Sequence, residues 1–161
     1  MIFEEAMGRL IGAVGQLATT CLPGLKIERA DEPYYVRDAW RKPDKIPHAD
    51  NNGVYVYVST QQKILYIGKG EYVGGGGIGN RACGHLGSAE LGGETLFNYH
   101  RWKEDASVSQ ETQIMIASGN FYIHTIKVSP NVYCSVVEVL LQSIFSEGHD
   151  KRFPELNKRI G

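Results

Sequence analysis

Four side chains able to take part in phosphodiester hydrolysis stand in order along the middle of the chain: Tyr55, Tyr66, Arg81 and His85. A phenol can orient or deprotonate water, and a guanidinium can stabilise the charge that accumulates on a phosphate during attack. An imidazole titrates near neutral pH and therefore suits proton transfer. The combination predicts nucleic-acid hydrolysis, which no single member of the set would justify.

Each of these residues also has an ordinary structural explanation. Tyrosine is common in strands, where Tyr55 and Tyr66 could simply pack with their hydroxyls in water. Arg81 could form a surface ion pair, and His85 could be an exposed or helix-capping histidine. The chemical interpretation therefore depends on whether the surrounding elements bring the four side chains together.

Two short strands are predicted to carry the tyrosines. From Gly53 to Ser59, valines alternate with tyrosine and serine, which is the period of a strand with one apolar face. A second strand is predicted from Lys63 to Gly68. If the turn between them has an even number of residues, Tyr55 lies directly across from Tyr66, whereas an odd turn shifts the pair by one position.

A glycine-rich loop, residues 74–79, precedes a predicted helix over residues 80–86 that would place Arg81 and His85 on one face. The glycine spacing also fits a dinucleotide-binding loop. That alternative requires a parallel strand after the helix, whereas the sequence here predicts a hairpin before the loop and a polar segment after it. The glycines are therefore a weak indication of nucleotide binding.

Glu138 lies in a further predicted helix, residues 132–145, that is apolar over much of its circumference. A buried carboxylate needs a partner, and a hard cation such as Mg²⁺ is one, because protein carboxylates and substrate phosphate commonly hold it together. The alternative is an exposed position at the edge of the helix. A strand over residues 121–128 precedes this helix, and an amphipathic helix over residues 2–17 opens the chain.

Composition limits the class of protein. The chain has 161 residues, 42% of them hydrophobic and 22% charged, which predicts one folded domain without a membrane span. Because the net charge is −1, the chain as a whole does not attract DNA, and any DNA contact must lie in a local basic patch. The candidates are Arg37, Arg41 and Lys42. Three widely spaced cysteines and the lack of a leader-like start favour a reducing, cytoplasmic location.

The motifs taken in order resemble the GIY-YIG nuclease superfamily. The resemblance rests on Gly53-Val54-Tyr55, on Tyr66-Ile67-Gly68-Lys69, and on Arg81, His85, Glu138 and Asn157. It covers roughly residues 53–157. Each tripeptide is short, but the ordered arginine, histidine, helical glutamate and final asparagine make the joint pattern fairly specific.

This resemblance implies an α+β fold with a small three-stranded antiparallel sheet flanked by helices, and metal-dependent cleavage of DNA. It implies that Tyr55 orients the attacking water or accepts its proton, with Lys69 or His85 assisting. Arg81 would stabilise the phosphate charge and Tyr66 would bind substrate or water. Glu138 would hold Mg²⁺, for which Mn²⁺ could substitute, and Asn157 would support the metal site from an outer shell.

The chain departs from the short form of the family in two places, the region from residue 71 to 79 and an insertion near residues 88–118. Residues 1–52 would form a helical and irregular extension to a nuclease core at 53–161. Family members with such insertions include restriction endonucleases, which implies a type II enzyme and a homodimer on DNA. The competing hypotheses are a catalytically silent nucleic-acid-binding or assembly module of the same fold, and a nucleotide-binding protein.

Overall fold

The fold is that of a computed structural model in which residues 1–39, 43–71, 76–86, 102 and 105–157 are described, the side chains of residues 38 and 39 excepted. Two of the predicted DNA-binding residues, Arg41 and Lys42, lie outside the described residues. So do part of the glycine-rich loop and about half of the segment near 88–118. Statements about the insertion therefore concern Trp102 and the part from residue 105 onward.

The elements alternate between helices and short strands. In chain order they are α1 (Phe3–Thr20), β1 (Lys26–Arg29), β2 (Tyr34–Tyr35), α2 (Val36–Ala39), a 3-10 turn (Pro43–Lys45), β3 (Gly53–Ser59), β4 (Ile64–Gly70), α3 (Gly77–Gly84), α4 (Gln110–Ser118), β5 (Phe121–Ser129), a second 3-10 turn (Asn131–Tyr133) and α5 (Cys134–Glu147). None of the described helices is long and apolar enough to cross a membrane.

The strands form one antiparallel sheet in the order β1, β5, β3, β4, with β2 also paired to β5. The α+β class and the three predicted strands are confirmed, but the prediction of a three-stranded sheet is wrong, because β1 and β2 extend it to five strands within the described residues. Both added strands come from residues 1–52, which were predicted to form only a helical and irregular extension. They are too short to show a pattern in the sequence and depend on β5 for their hydrogen bonds.

Strand β3 is buried along its whole length, so the prediction of one apolar face is incomplete. Its valines lie in a core with α1 and α5, whereas Tyr55 and Tyr57 lie in a second core with α3 and Trp102. We call these two sides of the sheet the valine face and the tyrosine face. Helices cover both sides because β3 has paired neighbours and apolar residues on each.

The register between β3 and β4 differs from both predicted alternatives. Tyr66 lies opposite Tyr57, and Tyr55 lies opposite Gly68, because the register shifts by one residue between Tyr57 and Val58. The shift is a β-bulge, which inserts an extra residue into one strand and rotates the side chains beyond it. Tyr55 and Tyr66 are therefore diagonal neighbours on the tyrosine face rather than a directly opposed pair.

The helices begin and end within a few residues of their predicted limits. Helix α1 extends to Thr20, three residues beyond its predicted end, and α5 ends at Glu147, two residues beyond its predicted end. Helix α3 begins three residues before the predicted start and ends at Gly84, so His85 is the residue that follows its last turn.

Candidate active site

The two tyrosines meet over a glycine. Their ring centroids are 5.9 Å apart, and Gly68 lies beneath both rings. Tyr55 is fully buried, and its hydroxyl has no hydrogen-bond partner among the described residues. The alternative that Tyr55 packs with its hydroxyl in water is therefore excluded, since that oxygen contacts no solvent.

Burial sets the acid–base state of Tyr55. Desolvation raises the pKa of the phenol well above its ordinary value, and the neighbouring Tyr57 and Tyr66 raise it further. The positive charge of Arg81 acts in the opposite direction and lowers it. The phenol is therefore neutral at physiological pH in this state, able to orient a water molecule but poorly suited to accept its proton.

Helix α3 brings Arg81 and His85 to the tyrosine face. The imidazole is buried, with its Nε2 3.4 Å from the Tyr66 hydroxyl and its ring centroid 6.1 Å from that of Tyr55. Arg81 is exposed, and its charge lowers the pKa values of both Tyr55 and Glu138. The guanidinium thus acts electrostatically on both groups while remaining open to a ligand from solvent.

Close backbone contacts fix the start of α3. A Cβ atom on Gly77 would come within 2.4 Å of the Ala49 carbonyl oxygen, and the φ of Gly77 is +70°. The N–H groups of Ile78 and Gly79 donate to the carbonyl oxygens of Asn51 and Ala49 at 3.1 and 2.9 Å. These glycines therefore serve helix packing, and the first-turn N–H groups that would cradle a dinucleotide phosphate are already occupied.

The all-antiparallel sheet gives a second argument against the dinucleotide interpretation. A dinucleotide-binding unit places its glycine-rich loop between two parallel strands joined by a helix. Here the strand before α3 is β4 and the next described strand is β5, and the two do not pair with each other because β3 lies between them, antiparallel to both. The loop therefore lacks the strand arrangement on which that function depends.

Glu138 is buried on α5, with 4% of its surface exposed, which excludes the exposed-edge alternative. Burial raises the pKa of its carboxyl group; the charge of Lys69, a hydrogen bond from the Lys69 backbone N–H and the charge of Arg81 lower it, whereas Glu71 raises it. One carboxylate oxygen, Oε2, has no hydrogen-bond partner among the described residues. A buried, unsatisfied carboxylate oxygen is costly and is a reason to expect a cation there.

Lys69 lies on the other side of the sheet from Tyr55. It pairs with Val54, so its side chain leaves β4 on the valine face. Its ammonium donates to Glu71 at 2.8 Å and to Ser135 at 2.7 Å, and the hydrogen bond to Glu71 is the main cause that raises its pKa. A charged lysine on the opposite face is badly placed to deprotonate Tyr55, which leaves His85 as the better candidate for proton transfer.

Asn157 binds the edge of β4 that faces away from β3. Its amide accepts from the Ile67 N–H at 2.8 Å and donates to the Ile67 carbonyl at 2.7 Å. Gln142, one turn after Glu138 on α5, donates to the same carbonyl at 3.4 Å, and the Leu156 N–H donates to Leu65 at 3.0 Å. The C-terminal segment and α5 thus hold β4, the strand that carries Tyr66, in place. Asn157 supports the site by binding the backbone of Ile67, the residue after Tyr66.

Trp102 is a further member of the site that sequence reasoning did not single out. It is buried, its ring centroid lies 5.3 Å from that of Tyr66 and 5.9 Å from that of His85, and its Nε1–H donates to the Leu156 carbonyl at 3.2 Å. Trp102 therefore links the inserted segment to the C-terminal segment and packs against the rings of Tyr66 and His85. Only its size and aromatic character marked it in the sequence.

Arg37 is the predicted DNA-binding residue that falls within the described part of the chain. Arg37 is exposed on α2, a short helix that contacts β2 and β5. Among the described residues, no three histidine, cysteine, aspartate or glutamate side chains cluster as a metal site, and Cys21, Cys83 and Cys134 are free thiols. A cation at this site would have Glu138 as its protein carboxylate and would need other oxygens from substrate or water.

Comparisons with known proteins identified no similar protein. The chain matches no protein-family model, and neither the curated proteins nor the solved structures contain a significant match.

Proposed function

We propose that the protein is an Mg²⁺-dependent DNA endonuclease that uses a GIY-YIG-type site. The observation that carries the proposal is that one exposed guanidinium, Arg81, acts electrostatically both on Tyr55 of the tyrosine face and on Glu138 of α5. Each of these two groups has a buried polar atom without a hydrogen-bond partner among the described residues. Packing alone gives no reason to bury a phenol and a carboxylate in this way near one exposed guanidinium. Unsatisfied buried polar groups cost free energy and are concentrated where function requires them.

The donor chemistry at Glu138 fits a hard divalent cation. The free Oε2 atom offers one carboxylate oxygen, and Mg²⁺ is often held by one or two carboxylates together with substrate phosphate and water. Mn²⁺, which prefers similar ligands, would substitute. When bound, the cation would neutralise charge on the phosphate and its leaving oxygen.

The protein's own residues would then have distinct tasks. Tyr55, held neutral by burial, would orient the attacking water by hydrogen bonds, and Arg81 would bind the phosphate oxygens from the solvent side. His85 would take up the proton, with Tyr66 as its hydrogen-bonded neighbour. Because the Tyr55 hydroxyl is closed to solvent, the proposal requires that DNA binding admit water to the space above Gly68.

A type II restriction endonuclease is the subtype we propose. Cutting both strands with one site in each chain calls for two chains related by a two-fold axis. Light scattering of the Glu138→Gln variant with a cognate duplex and Ca²⁺ should then give the mass of two chains on one DNA. A mass of one chain would contradict the dimer while leaving the nuclease chemistry in place.

Plasmid cleavage tests the activity itself. Purified protein with Mg²⁺ should convert supercoiled DNA to defined fragments. EDTA and the folded variants Tyr55→Phe and Arg81→Ala should each lower the rate by about 100-fold or more, as loss of a transition-state contact does. Defined fragments that persist undiminished in both variants would contradict this site, and nonspecific nicking lost in both would remove only the restriction subtype.

The second candidate function is a catalytically silent nucleic-acid-binding module. The burial of both the Tyr55 hydroxyl and Glu138 favours it, since neither group is open to solvent in this state. It predicts that linear, branched and methylated DNA are bound but not cut, with Mg²⁺ or with Mn²⁺. Cleavage that depends on Arg81 would exclude it.

A further inference from the structure

A polar depression lies at the end of the sheet beside the candidate active site. It has a volume of about 320 Å³ and is lined by residues 50–52, residues 127–129 and Asn131. Its lining side chains include one carboxylate, three amides, a hydroxyl and one ammonium group. We propose that this depression binds the edge of one DNA base close to the cleaved phosphate, an assignment that rests on the proposed function.

The position of the depression relative to Tyr55 follows from the strand register. Lys127 of β5 pairs with Gly53, and Thr125 pairs with Tyr55, so both β5 side chains leave the sheet on the tyrosine face. A strand advances about 3.4 Å per residue, which places the two positions about 7 Å apart. Tyr55 lies one strand across, about 5 Å from Thr125, so the position of Lys127 is about 9 Å from that of Tyr55. Successive nucleotides on one DNA strand rise about 3.4 Å along the helix axis, so the depression would meet a base two or three positions from the phosphate at Tyr55.

The wall of the depression is fixed to the site by backbone hydrogen bonds. The Asn51 carbonyl accepts from Ile78 of α3 at 3.1 Å, and the Asn52 carbonyl accepts from Val128 of β5 at 3.0 Å. The same short segment therefore binds the helix that carries Arg81 and the strand that carries Lys127. A base held against this wall would have a defined position relative to the guanidinium, as a specific nuclease needs.

The lining chemistry suits a base edge better than a phosphate. Asparagine offers a donor and an acceptor together and can bind adenine at two atoms, whereas aspartate accepts from the cytosine amino group. The exposed carboxylate of Asp50 would repel a phosphate. The Lys127 ammonium lies 3.5 Å from Glu28, which offsets part of its charge.

Sequence preference is the property to measure. Wild type, Asn51→Ala, Asn131→Ala and the control Gln16→Ala, an exposed amide on α1, would each digest a pool of duplexes with randomised bases, and the cut ends would be sequenced. We expect the two asparagine variants to lose about 10-fold discrimination at one or two base pairs beside the cut, as loss of a bidentate base contact does. The control should retain the wild-type preference.

Unchanged preference at every base pair in both asparagine variants would overturn the inference while the nuclease activity stands. Equal weakening for all sequences, measured by fluorescence anisotropy in a Glu138→Gln background with Ca²⁺, would assign the depression to a phosphate and would overturn it too. A wild-type protein that cuts no DNA would refute the proposed function. The anisotropy measurement would then still decide the inference, because sequence-selective binding that depends on Asn51 and Asn131 needs no cleavage.

Discussion

The Tyr55 hydroxyl lies against Gly68 of the neighbouring strand, where a Cβ atom would come within 2.9 Å of the phenolic oxygen. The same Cβ atom would come within 2.6 Å of a ring carbon of Tyr66. The glycine that follows Tyr66 and Ile67 is therefore what lets the two rings meet at this distance. In the proposed reaction an attacking water would have to reach the Tyr55 hydroxyl at this point, where the two rings now leave no room for a methyl group.

Adding a methyl group at Gly68 tests the relationship directly. We expect Gly68→Ala to lower the free energy of unfolding by about 1–3 kcal/mol, because both contacting rings belong to a packed core. Cleavage should fall with it, since the alanine methyl group takes the place of water. Urea unfolding and plasmid cleavage are the measurements, with Gly12→Ala as the control.

The control, Gly12→Ala, should change the free energy of unfolding in the opposite direction. A Cβ atom on Gly12 of α1 meets no atom within 4 Å, so alanine there should raise the free energy of unfolding by about 0.5–1 kcal/mol and leave cleavage unchanged. If Gly68→Ala were as stable and as active as wild type, the Tyr55 hydroxyl could not lie where we describe it.

Stability and activity should separate at Glu138. Burial raises its pKa above the ordinary value of 4.5, so the folded protein holds the proton more tightly than the unfolded chain does. The contribution of Glu138 to the free energy of unfolding is therefore greatest below pH 4.5. It is lost as the pH rises through the pKa that Glu138 has in the folded protein. Glu138→Gln should be at least as stable as wild type at pH 7.5, yet at least about 100-fold slower in Mg²⁺-dependent cleavage.

Glu147→Gln is the matched control for that experiment. Glu147 lies on the same helix but is exposed and pairs with Arg9, so its loss should change stability by no more than about 1 kcal/mol. Activity should be retained. Marked destabilisation of Glu138→Gln at pH 7.5 would show that the interactions with Lys69 and Arg81 outweigh the cost of burying the charged carboxylate, contrary to the raised pKa.

Trp102→Phe should lower the stability of the fold and impair the proposed proton uptake by His85, which has Tyr66 as its neighbour. The change removes the hydrogen bond to the Leu156 carbonyl, at an expected cost of about 1–2 kcal/mol, and loosens the rings of Tyr66 and His85. We expect cleavage to slow by about 10-fold and the pH profile of kcat to shift. Tyr35→Phe, which loses a 2.8 Å hydrogen bond to Asn120, should match the stability loss alone. An identical pH profile in both variants would give Trp102 a purely structural role.

His124 should make the fold sensitive to mild acid. Burial on the valine face is the main cause that lowers its pKa from 6.5 to about 4, and the nearby Arg29 lowers it further. The unfolded chain therefore binds the proton first, so stability is full above pH 6.5 and is lost as pH falls toward 4. The shift corresponds to about 3 kcal/mol.

Urea unfolding of wild type and His124→Phe at pH 7.5 and pH 4.5 measures this effect. The ring contact with Phe3, at 4.1 Å between centroids, should be kept by phenylalanine, whereas the titration is removed. Carboxylates also titrate between these two pH values and do so in both proteins. The effect of His124 is therefore the difference between the stability losses of wild type and His124→Phe. An equal loss of stability in both would mean that His124 is not buried in its neutral form.

Local patterns in the sequence predicted much of the framework. The alternation in β3, the strand before α5 and the helical periods of α1 and α5 are confirmed, because side-chain periodicity depends mainly on which residues face a core. The predicted site residues fall on these elements. Strands β1 and β2, which span four and two residues, have no such pattern and form only because β5 offers its edge.

The sequence by itself therefore determined which side chains were available and which elements would carry them. The tertiary structure decided what those side chains can do. A bulge placed Tyr66 opposite Tyr57 instead of Tyr55, and the packing of α5 on the edge of β4 buried Glu138. Each outcome depends on contacts between residues far apart in the chain, and a pattern of period two or 3.6 holds no information about those contacts.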